Sequence, residues 1–233
     1  MSDPDPRATG PEARHFPIAV LASGRGSNLA ALLDARAAGT LPVEFTLVAS
    51  DKAAAPALRN AEAHGIATLA LAPSGYPDRR TFDEALFANV RASGARLVVL
   101  AGYMRIIDAA VTAQWIGRMI NIHPSLLPKY RGLHTHRRVL ENGDTEHGTS
   151  VHFVGAELDG GPVIAQAHID VRADDTEDSL AARLLPREHE LLVACVDAIA
   201  RGRISELDGR VWFEGAPVVA PLRLNAARHL TAA

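Results

Sequence analysis

A short apolar run ends on Asn121 and His123, and Pro124 and Pro128 then keep the chain from turning into a helix. The end of a strand thus hands an amide and an imidazole to a rigid loop. An asparagine amide donates to a developing oxyanion, and a histidine takes up or delivers a proton near neutrality. Asp159, in an Asp-Gly-Gly-Pro turn, is the third candidate, because a carboxylate beside an imidazole raises its pKa and fixes its ring. Each has a plain structural alternative: Asn121 satisfying a strand end, His123 a structural histidine before a proline, Asp159 a turn residue. Six of the ten histidines fall between His123 and His168, which places the chemistry in this half of the chain.

Other residues are candidates for binding. Ser23-Gly24-Arg25-Gly26-Ser27-Asn28 lies between an apolar strand and a helix, the geometry in which backbone N–H groups and a helix N-terminus meet an anion. Ser27 or Asn28 can cap that helix or donate to a phosphate, or the glycines simply make a tight turn. The third glycine of a dinucleotide fingerprint would fall at Leu29, so NAD binding is not indicated. His134 and His136 share a face only in an extended segment and have no third ligand at a recognisable spacing, which argues against a metal site. Glu188 sits on the apolar stripe of a long helix, and a carboxylate there is costly unless paired. It either forms an ion pair with Arg183 or Arg187 or projects into a cleft. Arg79 begins a helix after Pro77 and Asp78, where most arginines are solvated. Gly102 to Ile107 is apolar for a loop at a strand end and is either core or the wall of a pocket for a flat aromatic ligand.

These residues need a scaffold, and the hydrophobic pattern supplies one. Strands are expected at Phe16–Leu21, Phe45–Ala49, Ile66–Leu71, Leu97–Ala101 and Met119–Ile122, with helices from Leu29, over Ala55–His64, over Arg79–Ala92 and over Ile107–Trp115. This alternation predicts an α/β fold with a mostly parallel, doubly wound sheet, whose ligands lie beyond the carboxyl ends of the strands. Strands at Thr149–Val154 and Val163–Val171 form an antiparallel hairpin, and Thr176 to Ile199 is a long helix that Pro186 should kink. A disordered leader over residues 1–15, a single domain over 16–210 and a C-terminal hairpin and tail over 211–233 complete the expected organisation.

With 233 residues and a net charge of −3, the chain has ample length for one core and shows no basic stripe for nucleic acid. Its single cysteine, Cys195, excludes an intramolecular disulfide framework and fits a reducing, cytoplasmic compartment. No apolar run is long enough to span a membrane.

Taken together, Ser23-Gly-Arg-Gly-Ser-Asn-Leu29, Ala101-Gly-Tyr-Met-Arg-Ile106, Asn121-Ile-His-Pro-Ser-Leu-Leu-Pro128, Gly132-Leu-His-Thr-His136, Glu146-His-Gly-Thr-Ser-Val-His-Phe-Val154 and Glu157-Leu-Asp-Gly-Gly-Pro162 closely resemble the phosphoribosylglycinamide formyltransferase family. The resemblance runs over about residues 17 to 203. It implies a Rossmann-like fold and transfer of a formyl group from 10-formyltetrahydrofolate to the amine of glycinamide ribonucleotide, without a metal. By the same resemblance, Gly26, Ser27 and Asn28 hold the ribonucleotide and Glu188 meets the glycinamide. Arg79, Met104, Arg105, Ile106, Ile107 and Asn121 serve the folate, while Asn121 and His123 stabilise the tetrahedral intermediate and Asp159 tunes His123. The expected partners are these two small molecules, with neither nucleic acid nor membrane, in a monomer or homodimer. One departure is Glu188-His189-Glu190-Leu191-Leu192-Val193, where the family commonly continues Glu-His-x-x-Tyr-Pro.

Rival readings are distinguishable. Methionyl-tRNA formyltransferase would carry Gly-Ala-Ala-Pro at Gly132–Thr135 and a C-terminal tRNA-binding domain. Formyltetrahydrofolate deformylase would carry His-His at His123-Pro124. A non-catalytic folate- or nucleotide-binding regulator would lack part of the Asn121, His123 and Asp159 set.

Overall fold

A computed structural model describes residues 15–232 of the chain. The leader expected over residues 1–15 lies outside them, His15 apart. Strands and helices alternate as β1 (Phe16–Leu21), α1 (Ser27–Ala37), β2 (Val43–Ser50), α2 (Pro56–Ala63), β3 (Thr68–Ala70), α3 (Arg79–Ala92), β4 (Leu97–Leu100), α4 (Ala109–Ala113) and β5 (Met119–His123). After α5 (Thr135–Glu141) come β6 (Glu146–Phe153), β7 (Val163–Asp170) and α6 (Glu177–Ala200). The chain continues through β8 (Ile204–Leu207), β9 (Arg210–Phe213), β10 (Ala216–Pro217), β11 (Leu222–Leu224) and β12 (Leu230–Thr231).

One nine-stranded sheet runs in the order β12-β11-β7-β6-β5-β4-β1-β2-β3. The strands β3, β2, β1, β4 and β5 are parallel neighbours, and β6 and β7 continue the sheet antiparallel. Chain order reverses between β1 and β4, so a crevice opens where the loops after these two strands part. The two faces have separate cores. Val20, Leu29, Leu32, Ile120, Ile122, Leu191 and Cys195 pack on the side of α1 and α6. Leu86, Val90, Val98, Trp115 and Met119 pack on the side of α3 and α4. Strand periodicity then decides the fate of β5: with Ile120 and Ile122 in the first core, Asn121 and His123 must point to the opposite face.

Helix α6 continues past Pro186, which is exposed, as is Ala182, whose carbonyl loses its partner. One expectation about the C-terminal half needs correction. Beyond Arg203 the chain forms more than a small hairpin that frays. Strands β8, β9 and β10 make an antiparallel meander, and β11 then lies parallel to β7 with Leu222 and Leu224 buried. The alternating Leu222-Arg223-Leu224 supplies that half-buried strand.

Candidate active site

The loops after β1 and β4 are tied together. Ser23 N–H donates to the Gly102 carbonyl at 3.0 Å, and Ser23 Oγ accepts the Met104 N–H at 2.9 Å. The glycine turn and the apolar 102–107 segment therefore hold a fixed separation. At the turn, Gly26 has φ +77°, and a Cβ there would stand 2.8 Å from that of Ala57, so only glycine fits. Helix α1 begins directly after it with no side-chain cap and no acidic residue in its first turn. By contrast, Asp78, Asp108 and Thr176 cap α3, α4 and α6. The unspent N–H groups and the helix dipole leave the start of α1 fit to receive an anion.

Asn28 joins this turn to α6. Its side chain lies near enough to the Glu188 carboxyl to favour the charged form, and its Oδ1 has no partner among the described residues. Burial pushes the Glu188 carboxyl up to about 7, against a smaller downward pull from Asn28. The ion pair considered for Glu188 is not formed: Arg183 pairs with Asp175 and Arg187 with Glu190. Glu188 is thus a half-buried acid near the glycine turn.

The central group lies at the ends of β5 and β6. Antiparallel register sets Asn121 opposite His152 and His123 opposite Ser150. Asp159 arrives from the loop after β6 with φ +48°, and its Oδ2 accepts the Gly132 N–H at 2.9 Å. Its Oδ1 lies 3.4 Å from Asn121 Nδ2, and its Oδ2 lies 3.5 Å from His123 Nδ1. The three residues expected to act together are therefore in one place.

The hydrogen bonds fix the tautomers. His123 Nε2 lies 2.9 Å from the Tyr130 carbonyl, which only accepts, so Nε2 carries the hydrogen and the free lone pair is on Nδ1, facing Asp159. His152 Nδ1 likewise faces the Phe153 carbonyl at 2.9 Å, so its Nε2 accepts from Asn121 Nδ2 at 3.1 Å. His152 is a site member that sequence reasoning passed over. The alternation of β6 set it on one face, but only the strand register shows what it meets.

Electrostatics correct one expectation. Burial lowers the His123 pKa below the usual imidazole value and outweighs the upward pull of the Tyr130 carbonyl and the Asp159 charge. For Asp159, burial pushes upward, but the adjacent His152 ring, the hydrogen bond from the Gly132 N–H and the positive charge that His123 carries when protonated hold it below the usual carboxylate range. Near neutrality the pair is an anionic carboxylate beside a neutral imidazole.

A cleft of about 90 Å³ opens beside this group, lined by Leu100, Ile106, Ile107, Val154 and Leu158 together with Arg105, Asn121 and Asp159. Met104 and Ile106 are exposed there by 66% and 52%, an apolar rim with nothing yet packed on it. Arg79 is exposed at the start of α3 and is not among the cleft-lining residues. His136 Nδ1 lies 2.9 Å from His147 Nε2, and no group of three or more His, Cys, Asp or Glu side chains among the described residues is placed to hold a metal ion.

A family profile described as formyl transferase matches residues 16–196. The chain is 47% identical to the phosphoribosylglycinamide formyltransferase of Escherichia coli over 198 residues, covering 85% of this chain and 93% of that one. It is 36% identical to that of Haemophilus influenzae over the same shares. The chain belongs to the phosphoribosylglycinamide formyltransferase family. Its fold agrees: the solved Coxiella burnetii phosphoribosylglycinamide formyltransferase, in complex with CHES, superposes with a TM-score of 0.85 at 40% identity, covering 88% of this chain and 96% of that one. Membership removes the rival tRNA-modifying, hydrolytic and non-catalytic readings as descriptions of the family. Among the described residues, no helix is long and apolar enough to cross a membrane.

Proposed function

We propose that the chain transfers the formyl group of 10-formyltetrahydrofolate to the amine of glycinamide ribonucleotide, with Asn121, His123 and Asp159 carrying the chemistry. The observation that supports this most is the convergence of those three polar groups at one end of the sheet, with Asn121 and Asp159 lining a largely apolar cleft.

Gly26, Ser27 and Asn28 receive the ribonucleotide phosphate on the free N–H groups of α1. Glu188, neighbouring Asn28, meets the glycinamide portion. Arg105, Ile106 and Ile107 hold the flat pteridine of the co-substrate, with Met104 at the rim and Arg79 farther out on the folate side. The substrate amine then forms its bond to the formyl carbon, and the carbonyl electron pair moves to oxygen. Asn121 Nδ2 donates to that oxyanion by releasing its long 3.4 Å contact to Asp159, while it keeps the bond to His152. His123 takes up a proton on Nδ1, where Asp159 compensates the new positive charge. The oxyanion pair reforms the carbonyl, the bond to the folate nitrogen breaks, and the proton lost by the amine ends on that nitrogen. No free formate is made.

Steady-state kinetics on the purified chain test this reading. Absorbance of the deformylated folate should rise only when both substrates are present. Deformylation that ignores the ribonucleotide would replace transfer with hydrolysis, and no deformylation at all would leave a binding protein.

A further inference from the structure

Asp83, on α3, is fully buried, at 0% exposure, and plays no part in the steps above. Its Oδ2 accepts the Asp108 N–H at 2.7 Å, and its Oδ1 has no partner among the described residues. Asp108 closes the segment that runs from Gly102 past Arg105, Ile106 and Ile107, and its own side chain caps α4 through the Ala110 N–H at 2.9 Å. The same segment is held at its other end by Ser23, through Gly102 and Met104. The cleft-lining stretch is therefore pinned at both ends by buried polar groups and is free between them.

The charge around Asp83 is organised toward that stretch. Burial pushes the Asp83 carboxyl above the usual carboxylate value, against the Asp108 N–H bond and the weaker pull of Arg105 and Arg79, and the Arg105 guanidinium lies 5.1 Å from the centre of the Phe82 ring. Tyr103, also buried and within reach of the same charge, leaves its OH without a partner, as Arg105 leaves its Nε. Scaffolding alone explains this poorly. A buried carboxylate with a bare oxygen costs free energy that an apolar residue of similar size would avoid.

We propose that Asp83 is a positioning residue for the folate-side wall: it fixes the far end of the 102–108 segment through the Asp108 N–H. This rests on the assignment of the cleft to the folate co-substrate. The anchor holds the segment at its Asp108 end, whereas Ser23 of the glycine turn holds it at its Gly102 end. Disturbing Asp83 should therefore act mainly on the folate side.

The test uses Asp83→Asn, which keeps an acceptor oxygen for the Asp108 N–H but removes the charge, and Asp83→Ala, which removes both. The expected result for Asp83→Ala is a rise of about tenfold in KM for 10-formyltetrahydrofolate, the scale of one lost hydrogen bond to a charged group. KM for the ribonucleotide should stay within about twofold, as should kcat at saturation. Asp83→Asn should show a smaller rise of the same selectivity, and titration with 5,8-dideazafolate, a non-transferring probe, should weaken in the same order. If Asp83→Ala does not fold, the selectivity of Asp83→Asn decides alone. Equal rises in both KM values, or a lowered melting midpoint with both KM values unchanged, would overturn the proposal while leaving the transferase reading intact. No turnover by the unaltered chain would overturn both.

Discussion

Glu188→Gln should make the chain more stable at alkaline pH while making it a poorer enzyme. Burial lifts the carboxyl from 4.5 to about 7. The sign follows from which state ionises more easily. Below about pH 4 the group is neutral in both folded and unfolded chains and contributes nothing. Between 4.5 and 7 the unfolded chain ionises first, so folding loses ground as pH rises. Above 7 the loss is complete, with a ceiling of about 3 kcal/mol from the size of the shift. Glu188 is half-buried and Asn28 favours its charged form, so the realised figure should be about 1–3 kcal/mol. Glutamine has the same shape without the charge. Its melting midpoint should match the parent at pH 4 and exceed it at pH 8 by roughly 3–8 °C for a domain of this size. Thermal unfolding followed by circular dichroism across that range is sufficient. A variant less stable than the parent at pH 8 would show that the charge is stabilised by a partner, and would refute the reasoning from burial. The same variant should raise KM for the ribonucleotide with little change in KM for the folate.

Loss of His123 as alanine should lower kcat by about 10²–10⁴ with substrate affinities changed far less, the usual contribution of a positioned proton acceptor; near-parental turnover would remove His123 from the chemistry. Asp159→Asn keeps an acceptor for the Gly132 N–H but not the charge beside His123 Nδ1, so turnover should fall and the pH–rate profile should move; an unmoved profile counts against Asp159. For Gly26→Ala, the left-handed backbone and the Ala57 contact predict a loss of about 1–3 kcal/mol in thermal melts and weaker ribonucleotide binding at unchanged folate KM. His147, lowered to about 4 chiefly by burial, is neutral in the fold, so stability is full above 6.5 and is lost as pH falls toward 4. His147→Gln should be the less stable chain at pH 7, and the gap should narrow by about 2–3 kcal/mol by pH 4 in the same melts; a gap that widens in acid would refute the assignment.

Much of this site was legible because strand periodicity and turn chemistry are local. The apolar residues on either side of Asn121 and His123 announce a strand that presents both to one face, and the glycine turn before an apolar helix announces a helix start that can meet an anion. Non-local information was hidden. His152 is one of six clustered histidines until antiparallel register brings it against Asn121. The His123 pKa was expected to rise because an adjacent carboxylate is visible in sequence, whereas the burial that outweighs it belongs to the packed fold. Glu188 could be placed on an apolar stripe, but not whether Arg183 and Arg187 were already engaged elsewhere. Beyond Arg203, two short strands return to the main sheet by pairing with a segment more than fifty residues away, which no local pattern reports.

The central claim is direct transfer of a formyl carbon from folate to an amine held beside His123. Its most direct measurement is a single-turnover reaction with the formyl carbon labelled, read by mass spectrometry of the products. The expected result is that all of the label leaving the folate appears in formylglycinamide ribonucleotide and none in free formate, with His123→Ala slowing its appearance. Label recovered as formate, at a rate that does not depend on the ribonucleotide, would contradict it.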